Sequence, residues 1–352
     1  MNILIMSAGR RVELIKLFKK TAEKMGINSK IIAADASDTA PAIYFADNFY
    51  IIPRIGANGY LDRIVEICKK EAVRLIVPTI DTELMFLAKN KKYIEQATDA
   101  KVLVSDVKAI DICRNKNNTQ KFFEENKFGV PKEYGLDEEV KNFPVFIKPI
   151  DGSSSINTFK VNSAKELDFF KNYIDKPIIQ EFITGEEFTV DAFCDFESNV
   201  ISIVPRRRIA TRSGEVIKGK ILKDREIIDS VKELLKILKP IGQVTIQCMK
   251  TEDGIKYIEI NPRFGGGAPM SIMAGANSCE YLYRLLRGEK LEYSENYEDG
   301  LIFLRFDDSI MLNEKMEKID DKTRNIWFGW YFDFRRRIYK KRIYCCCRLY
   351  WK

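Results

Sequence analysis

Along the first third of the chain, short apolar runs alternate with longer segments whose apolar positions recur at helical spacing. The run Asn2–Met6 predicts a strand and Ser7-Ala8-Gly9 a turn. Residues 10–25 then place Val12, Leu14, Ile15, Phe18 and Ala22 on one helical face. Further strands are expected at 30–34, ending on Asp35, at 49–52, at 74–77 before Pro78, and at 102–104. Helices are expected at 60–71 and 82–91. Strict alternation of this kind predicts a parallel, doubly wound sheet. Such sheets hold ligands at the carboxyl ends of their strands, here the loops 7–11, 35–37 and 79–83.

The pattern changes after residue 110. A helix is expected to open around Cys113-Arg114-Asn115-Lys116 and run to Lys127, closed by Gly129-Val130-Pro131. Val145, Phe146 and Ile147 predict a strand with Lys148 at its end. Residues 188–260 read as a meander of strands broken by one helix near 224–238, and a further helix is expected over 269–287. Residues 242–261 predict a hairpin. Asp253-Gly254 marks its turn, and a three-residue loop, 252–254, puts Gly254 where the backbone needs a positive φ. In that register Gln247 lies opposite Glu259, and Glu259 and Asn261 share a face because strand side chains alternate.

At 352 residues, with 45% hydrophobic and 31% charged residues, the chain has ample core for two or three domains. No run is long and apolar enough to span a bilayer. The N-terminal apolar run is short and followed by arginines, unlike a secretory signal. The cysteines Cys68, Cys113, Cys194, Cys248 and Cys279 show no metal spacing and suit free thiols in a reducing cytoplasm. Histidine is absent, so chemistry must rest on carboxylates, Lys, Arg, backbone groups and metal ions. The formal charge of +7 is concentrated in residues 324–352, and the remainder is close to neutral. That balance gives no reason to expect nucleic-acid binding.

The hairpin carries the candidate chemistry. Gln247, Glu259 and Asn261 offer oxygen ligands with one full negative charge, which suits hard Mg²⁺ when nucleotide phosphates complete its shell. Arg263, just beyond, is placed to steady a transferring phosphoryl group. The plain alternative is an amphipathic hairpin with a polar outer face. Lys148 at a strand end is a rigid point charge for an anion. Residues 151–155 form a small-residue loop in which Ser153 and Ser154 add donors for phosphate. Arg206-Arg207-Arg208 and Arg212 lie among the strands. A basic run is commonly a solvated face, but Arg208 or Arg212 is a candidate for holding an anionic substrate or acyl phosphate.

Gln247 with Glu259-Ile260-Asn261-Pro262-Arg263 resembles the metal-binding signature of ATP-grasp enzymes, and in particular the carbamoyl-phosphate synthase large-chain branch. The resemblance extends over roughly residues 1–310. It implies an α/β and α+β protein: a Rossmann-like, doubly wound pre-ATP-grasp domain (1–110), then a two-lobed ATP-grasp domain (111–310). The ATP lobe would be 111–183 and the metal and substrate lobe 184–310. It further implies ATP with Mg²⁺ (Mn²⁺ as a substitute) held by Gln247, Glu259 and Asn261. Lys116 and Lys148 would contact phosphates, with Ser153 and Ser154 in the flap above them. Glu181, Phe182 and Ile183 would meet adenine, Glu187 the ribose, and Arg263 a phosphate. Thr79, Asp81 and Glu83 would sit at the acceptor site. Asn115 stands where the related enzymes carry Asp.

The implied activity is a cytoplasmic carbon–nitrogen ligase that activates a small carboxylate as acyl phosphate for attack by an amine, with a homodimer admitted. A non-catalytic ATP-binding regulator and a carbamoyl-phosphate synthase-type subunit are the alternatives. An NAD-dependent oxidoreductase fits less well, because Ser7-Ala8-Gly9-Arg10 lacks the second and third glycines of a dinucleotide loop. Residues 311–352 form an atypical tail, basic and aromatic from 324 onward. It reads as a lost frame near 322–324 or as a surface anchor, and it receives no function.

Overall fold

Ile3, Leu4, Ile5 and Met6 are all fully buried, because β1 (Asn2–Met6) is the central strand of a parallel sheet covered on both faces. In the computed structural model, which describes residues 1–150 and 156–319, the chain continues through α1 (Val12–Lys24), β2 (Ile31–Asp35), a 3₁₀ turn (Pro41–Phe45), β3 (Asn48–Ile51), α2 (Tyr60–Lys70), β4 (Val73–Pro78), α3 (Asp81–Ala97) and β5 (Lys101–Val102). The sheet order is β3-β2-β1-β4-β5, and each neighbouring pair is parallel. The winding reverses between β1 and β4, whose ends pair as Met6 with Pro78. Their following loops therefore flank the crevice where ligands collect in doubly wound sheets.

Two short helices follow, α4 (Val107–Arg114) and α5 (Lys116–Glu125). Asp106 Oδ1 caps the first by accepting from Ala109 N at 2.7 Å. Asn115 breaks the helix and caps the second, accepting from Asn117 N at 3.0 Å. The second is the helix expected from 113–116 to 127, and it starts at Lys116 because Asn115, with extended backbone, caps it; α4 was not expected. A small antiparallel sheet, order β6-β9-β7-β8, is built from β6 (Glu133–Tyr134), β7 (Val145–Pro149), β8 (Phe159–Val161) and β9 (Pro177–Glu181), with α6 (Ala164–Tyr173) against it.

The larger antiparallel sheet comprises β10 (Glu186–Cys194), β11 (Val200–Arg212), β12 (Glu215–Ile221), β13 (Gly242–Thr251), β14 (Gly254–Asn261) and β15 (Ile302–Leu304). Its order is β14-β13-β10-β11-β12-β15. Between β12 and β13, α7 (Arg225–Leu238) buries Ile227, Ile228, Val231, Leu234, Leu235 and Leu238 on one stripe, capped by Asp224. Those aliphatics join Phe188, Val190, Val244, Ile246 and Tyr257 in one core. The expected helix over 269–287 is instead α8 (Ala268–Met273) and α9 (Ser278–Leu286). Gly275 at φ +118° cannot continue a helix, and Asn277 caps the next one.

The parallel sheet and the large sheet share apolar packing. Phe18 of α1 meets Phe264 and Tyr283 edge-on, both at 6.2 Å. Phe264, almost fully buried, thus fixes the segment after β14 against the N-terminal sheet. Met1–Phe306 forms one compact unit and a second begins at Asp307. Within the second, Leu312 bridges to Lys318. The expectations for Ser153, Ser154 and the 324–352 tail lie outside the described residues. Among the described residues, no helix is long and apolar enough to cross a membrane.

Candidate active site

The β13–β14 hairpin pairs Gln247 with Glu259, as expected, but by a different route. Its loop has two residues rather than three, because Thr251 pairs with Gly254. Gly254 does take a positive φ, +105°. The extra residue sits lower down. Cys248 pairs with Tyr257 while Gln247 pairs with Glu259, so Ile258 forms a bulge next to the site. The bulge restores the register that a three-residue loop would have given.

Gln247 Nε2 and Asn261 Nδ2 both donate to Glu259 Oε1, at 2.6 and 2.9 Å. Arg208 on β11 donates to Gln247 Oε1 at 3.0 Å and lies 3.0 Å from Glu187 Oε1 on β10. Its other terminal nitrogen donates to Gly214 O at 2.8 Å, and its buried Nε has no partner among the described residues. One carboxylate, two amides and one arginine thus crowd a single face. Amide groups can turn to present either atom, so the same side chains can offer three oxygens to a hard cation. That donor set fits Mg²⁺ of the kind completed by substrate phosphates. Among the described residues, no group of three or more His, Cys, Asp or Glu could hold a metal unaided.

Opposite stands the small sheet. Lys148 on β7 and Lys116 at the start of α5 line the same cavity of about 280 Å³ as Gln247, Glu259, Arg208 and Glu187. Lys116 donates to Pro149 O at 2.7 Å, which holds it beside Lys148. Burial, with Lys116 alongside, pushes Lys148 down to about 8, while Glu259 and Glu133 act the other way. Phe146, Ile183, Met249 and Ile258 supply apolar wall. The ladder of β9 ends at Glu181, and Phe182 and Ile183 continue along the cavity outside any strand.

Residues 113–267 match the family model described as "ATP-grasp domain", and residues 3–103 the one described as "PylC-like, N-terminal domain". Residues 113–267 form an ATP-grasp domain. It is 35% identical over 102 residues to the D-alanine–D-alanine ligase of Fusobacterium nucleatum, covering 29% of this chain and 36% of that one. It is 26% identical over 302 residues to the carbamoyl-phosphate synthase of Methanobrevibacter smithii, covering 76% and 79%. The chain therefore spans little more than a third of the first of these relatives. Among solved structures, the biotin carboxylase domain of Hydrogenobacter thermophilus 2-oxoglutarate carboxylase, in complex with MgADP, superposes with a TM-score of 0.65 at 18% identity. That match covers 86% of this chain and 73% of that one, and the fold class is the expected one.

Within this ATP-grasp fold, the residues singled out in the sequence fall into three groups. Lys116, Lys148, Phe182, Ile183, Glu187, Arg208, Gln247 and Glu259 line one cavity, as does Glu181, whose carboxylate is 3.4 Å from Lys256 Nζ and accepts from Lys132 N at 2.9 Å. Asn261 joins them through Glu259. Arg263 and Asp81 meet each other just beyond, Nη2 to Oδ2 at 2.7 Å. Thr79, Glu83 and Arg212 are placed elsewhere. The Thr79 hydroxyl is buried and donates to Ser7 O at 2.7 Å and Met6 O at 3.1 Å, so it ties two loops together. Glu83 is fully buried and accepts from Ser7 Oγ at 3.0 Å and from Tyr60 Oη. Arg212 is exposed at the end of β11, opposite Glu215.

The arginine run also divides. Arg206 is buried against Asp191, Nε to Oδ2 at 2.6 Å; Arg207 points to the other face and meets Glu186 at 2.7 Å; Arg208 returns to the cavity. Strand periodicity sorts the three. Sequence reasoning passed over Arg11 and Arg305, which converge on Glu215. For Arg11 the available signal was its place in a loop at the carboxyl end of β1. Nothing local marked Arg305.

Proposed function

We propose that the chain is an ATP-dependent ligase that phosphorylates a substrate carboxylate and passes the acyl group to an amine. The observation that supports this reading is the opposition of Lys116 and Lys148 to the Glu259 cluster across one cavity of an ATP-grasp fold. The nucleotide would lie with adenine against Phe182, Ile183 and Met249 and its amino edge toward the end of β9 near Glu181. Glu187 would meet the ribose hydroxyls. Lys116 and Lys148 would grip the phosphates, each kept in place by the end of β7. Glu259, with Gln247 and Asn261, would hold Mg²⁺. Bound magnesium would supply charge neutralisation for the phosphate oxygens.

Arg208 has a distinct part in this scheme. It bonds Gln247 and lies against Glu187, so it holds the cluster together by charge. Its unpaired buried Nε is a donor in wait for an anion. Arg263, oriented by Asp81, would bear on the transferring phosphoryl or the acyl phosphate. No side chain needs to act as a nucleophile. Positioning and electrostatic stabilisation suffice for phosphoryl transfer, which suits a chain with no histidine. Small carboxylate and amine substrates, and a division of labour near residues 110 and 184, are part of the same reading.

The test is Mg²⁺-dependent phosphate release from ATP with a panel of carboxylic acids and amines, comparing wild type with Glu259→Gln. Turnover that depends on an acid and an amine, and collapses in the variant, supports the ligase. A second reading is an ATP-binding regulator, favoured by the single full charge of the metal cluster. It predicts ATP-induced thermal stabilisation with no acid-dependent release in either protein.

A further inference from the structure

Beyond Asn261 lies a group of charges of which this scheme uses only Arg263 and Asp81. Arg11 follows β1, Arg263 follows β14, and Arg305 follows β15. Glu215 starts β12, and Asp81 starts α3. Arg305 Nη1 is 3.1 Å from Glu215 Oε2 and donates to Val216 O at 3.0 Å. Arg11 Nη1 is 3.7 Å from Glu215 Oε1, and its Nη2 donates to Thr79 O at a long 3.4 Å. Both Arg263 bonds to Asp81 fall on Oδ2.

The group is under-neutralised. It sets three guanidinium groups against two carboxylates, and Arg10 also acts on Glu215. Arg11 is held below its ordinary range first by burial and then by Arg263, with Arg305 adding to the effect. Its contacts to Glu215 and Thr79 are long, so it is weakly satisfied. It also precedes α1, whose first turn has no side-chain cap. Charges arranged this way favour a further anion.

A Cβ on Gly266 would lie 3.0 Å from Glu215 Oε1 and 3.1 Å from Arg11 Nη1, so the 265–267 backbone passes close to both side chains. The group adjoins the nucleotide cavity at Gly214, which lines it and precedes Glu215. It also sits at the switch point between β1 and β4, where doubly wound sheets bind ligands.

We propose that Arg11 and Arg305, backed by Arg263, form a second anion subsite that seats a carboxylate other than the one being phosphorylated. The inference deepens the ligase reading and rests on it for the identity of the reacting end. At least one substrate then carries an additional carboxylate. Its source is either the distal group of a dicarboxylic acid or the α-carboxylate of an amino acid serving as the amine. Each guanidinium offers paired N–H donors in the plane that a carboxylate matches.

The experiment measures phosphate release with Mg·ATP over two pairs of substrates. Succinate against propionate tests the acid, and L-alanine against L-alaninamide tests the amine. Wild type should need the extra carboxylate in one pair, and the pair affected identifies its source. Arg305→Gln should raise the KM for that substrate about ten- to a hundredfold while leaving the KM for ATP within about twofold. Arg305→Lys should recover part of the loss. Full activity with propionate and alaninamide, or an unchanged KM in both Arg305→Gln and Arg11→Gln, overturns the proposal. Calorimetric titration of succinate and of L-alanine, without turnover, separates the two ideas. Binding that is lost in Arg305→Gln upholds the subsite even where ATP is not consumed, and absence of binding to wild type by either probe overturns it.

Discussion

Arg263 donates to Asp81 Oδ2 through both Nε, at 3.1 Å, and Nη2, at 2.7 Å, joining residues 182 positions apart in the chain. The pair links the segment after the β13–β14 hairpin to the loop after β4. It lies beside Phe264, whose ring is locked against Phe18. Asp81→Asn should therefore leave the fold intact and release the guanidinium. A partly exposed ion pair is worth on the order of 1 kcal/mol, so kcat should fall roughly five- to tenfold with KM for ATP unchanged. Steady-state kinetics check this, and an equal rise in the KM for ATP would count against a positioning role.

Glu259 accepts from both neighbouring amides and faces Lys148 across the cavity. Glu259→Gln keeps the shape and removes the only full negative charge among the proposed ligands. Loss of metal-dependent stabilisation of about 3 kcal/mol corresponds to roughly a hundredfold or greater fall in kcat. Excess Mn²⁺ in the assay reports whether the defect lies in metal affinity. An unaltered rate would remove Glu259 from the metal site.

Glu83 carries a pH dependence of stability. Burial pushes its carboxyl up to about 7, opposed by hydrogen bonds from Tyr60 and Ser7 and aided by the charge of Asp35. The folded state then holds a proton that the unfolded chain releases near 4.5. Stability contributed at low pH should fall as pH rises from about 4.5 to 7, and the cost should persist above that range. Glu83→Gln should flatten this part of the profile and stabilise the protein at pH 8 by roughly 1–3 kcal/mol. Thermal melts of both proteins from pH 5 to 8 decide it. Parallel curves would mean that Glu83 is not the responsible group.

The Asp191–Arg206 pair is a structural counterpart to the cavity charges. Both side chains are buried, and Asp191 also accepts from Ser271 Oγ. A Cβ on Gly267 would fall 2.7 Å from Arg206 Nη2, so the pair sets the path of the glycine run that follows Arg263. Asp191→Asn should cost about 3–5 kcal/mol by leaving a buried guanidinium without its countercharge. The double variant Asp191→Asn with Arg206→Met should regain much of it. Urea midpoints measure both, and a double variant no more stable than the single would argue against charge as the cause.

Much of the fold was legible because local rules decide it. The apolar run Ile3–Met6 could only be a covered strand, and the stripe from Ile227 to Leu238 could only be an amphipathic helix. Lys148 was readable as a strand-end cation, and the Gln247–Glu259 pairing as a hairpin register. Other features depended on the competing claims of single residues. Gly275 divided an expected helix by its left-handed backbone, and α4, which ends just before the Asn115 cap, was not foreseen. Thr79 and Glu83 carry chemistry suited to a site, but burial turned both toward structural partners. The Arg11–Arg305 group was illegible for a different reason. Its members are far apart in sequence, and only tertiary contact with Glu215 brings them together.

The bulge at Ile258 has a consequence for how this hairpin tolerates change. Alignment of Gln247 with Glu259 is fixed beneath the bulge by Ile246 with Ile260 and Thr245 with Asn261. The outer ribbon, from Cys248 to Tyr257, follows its own count. Lengthening or trimming the loop at Glu252-Asp253 should be absorbed above that discontinuity, so the apex of the ribbon is free to drift among descendants of this sequence while Gln247 and Glu259 keep their alignment.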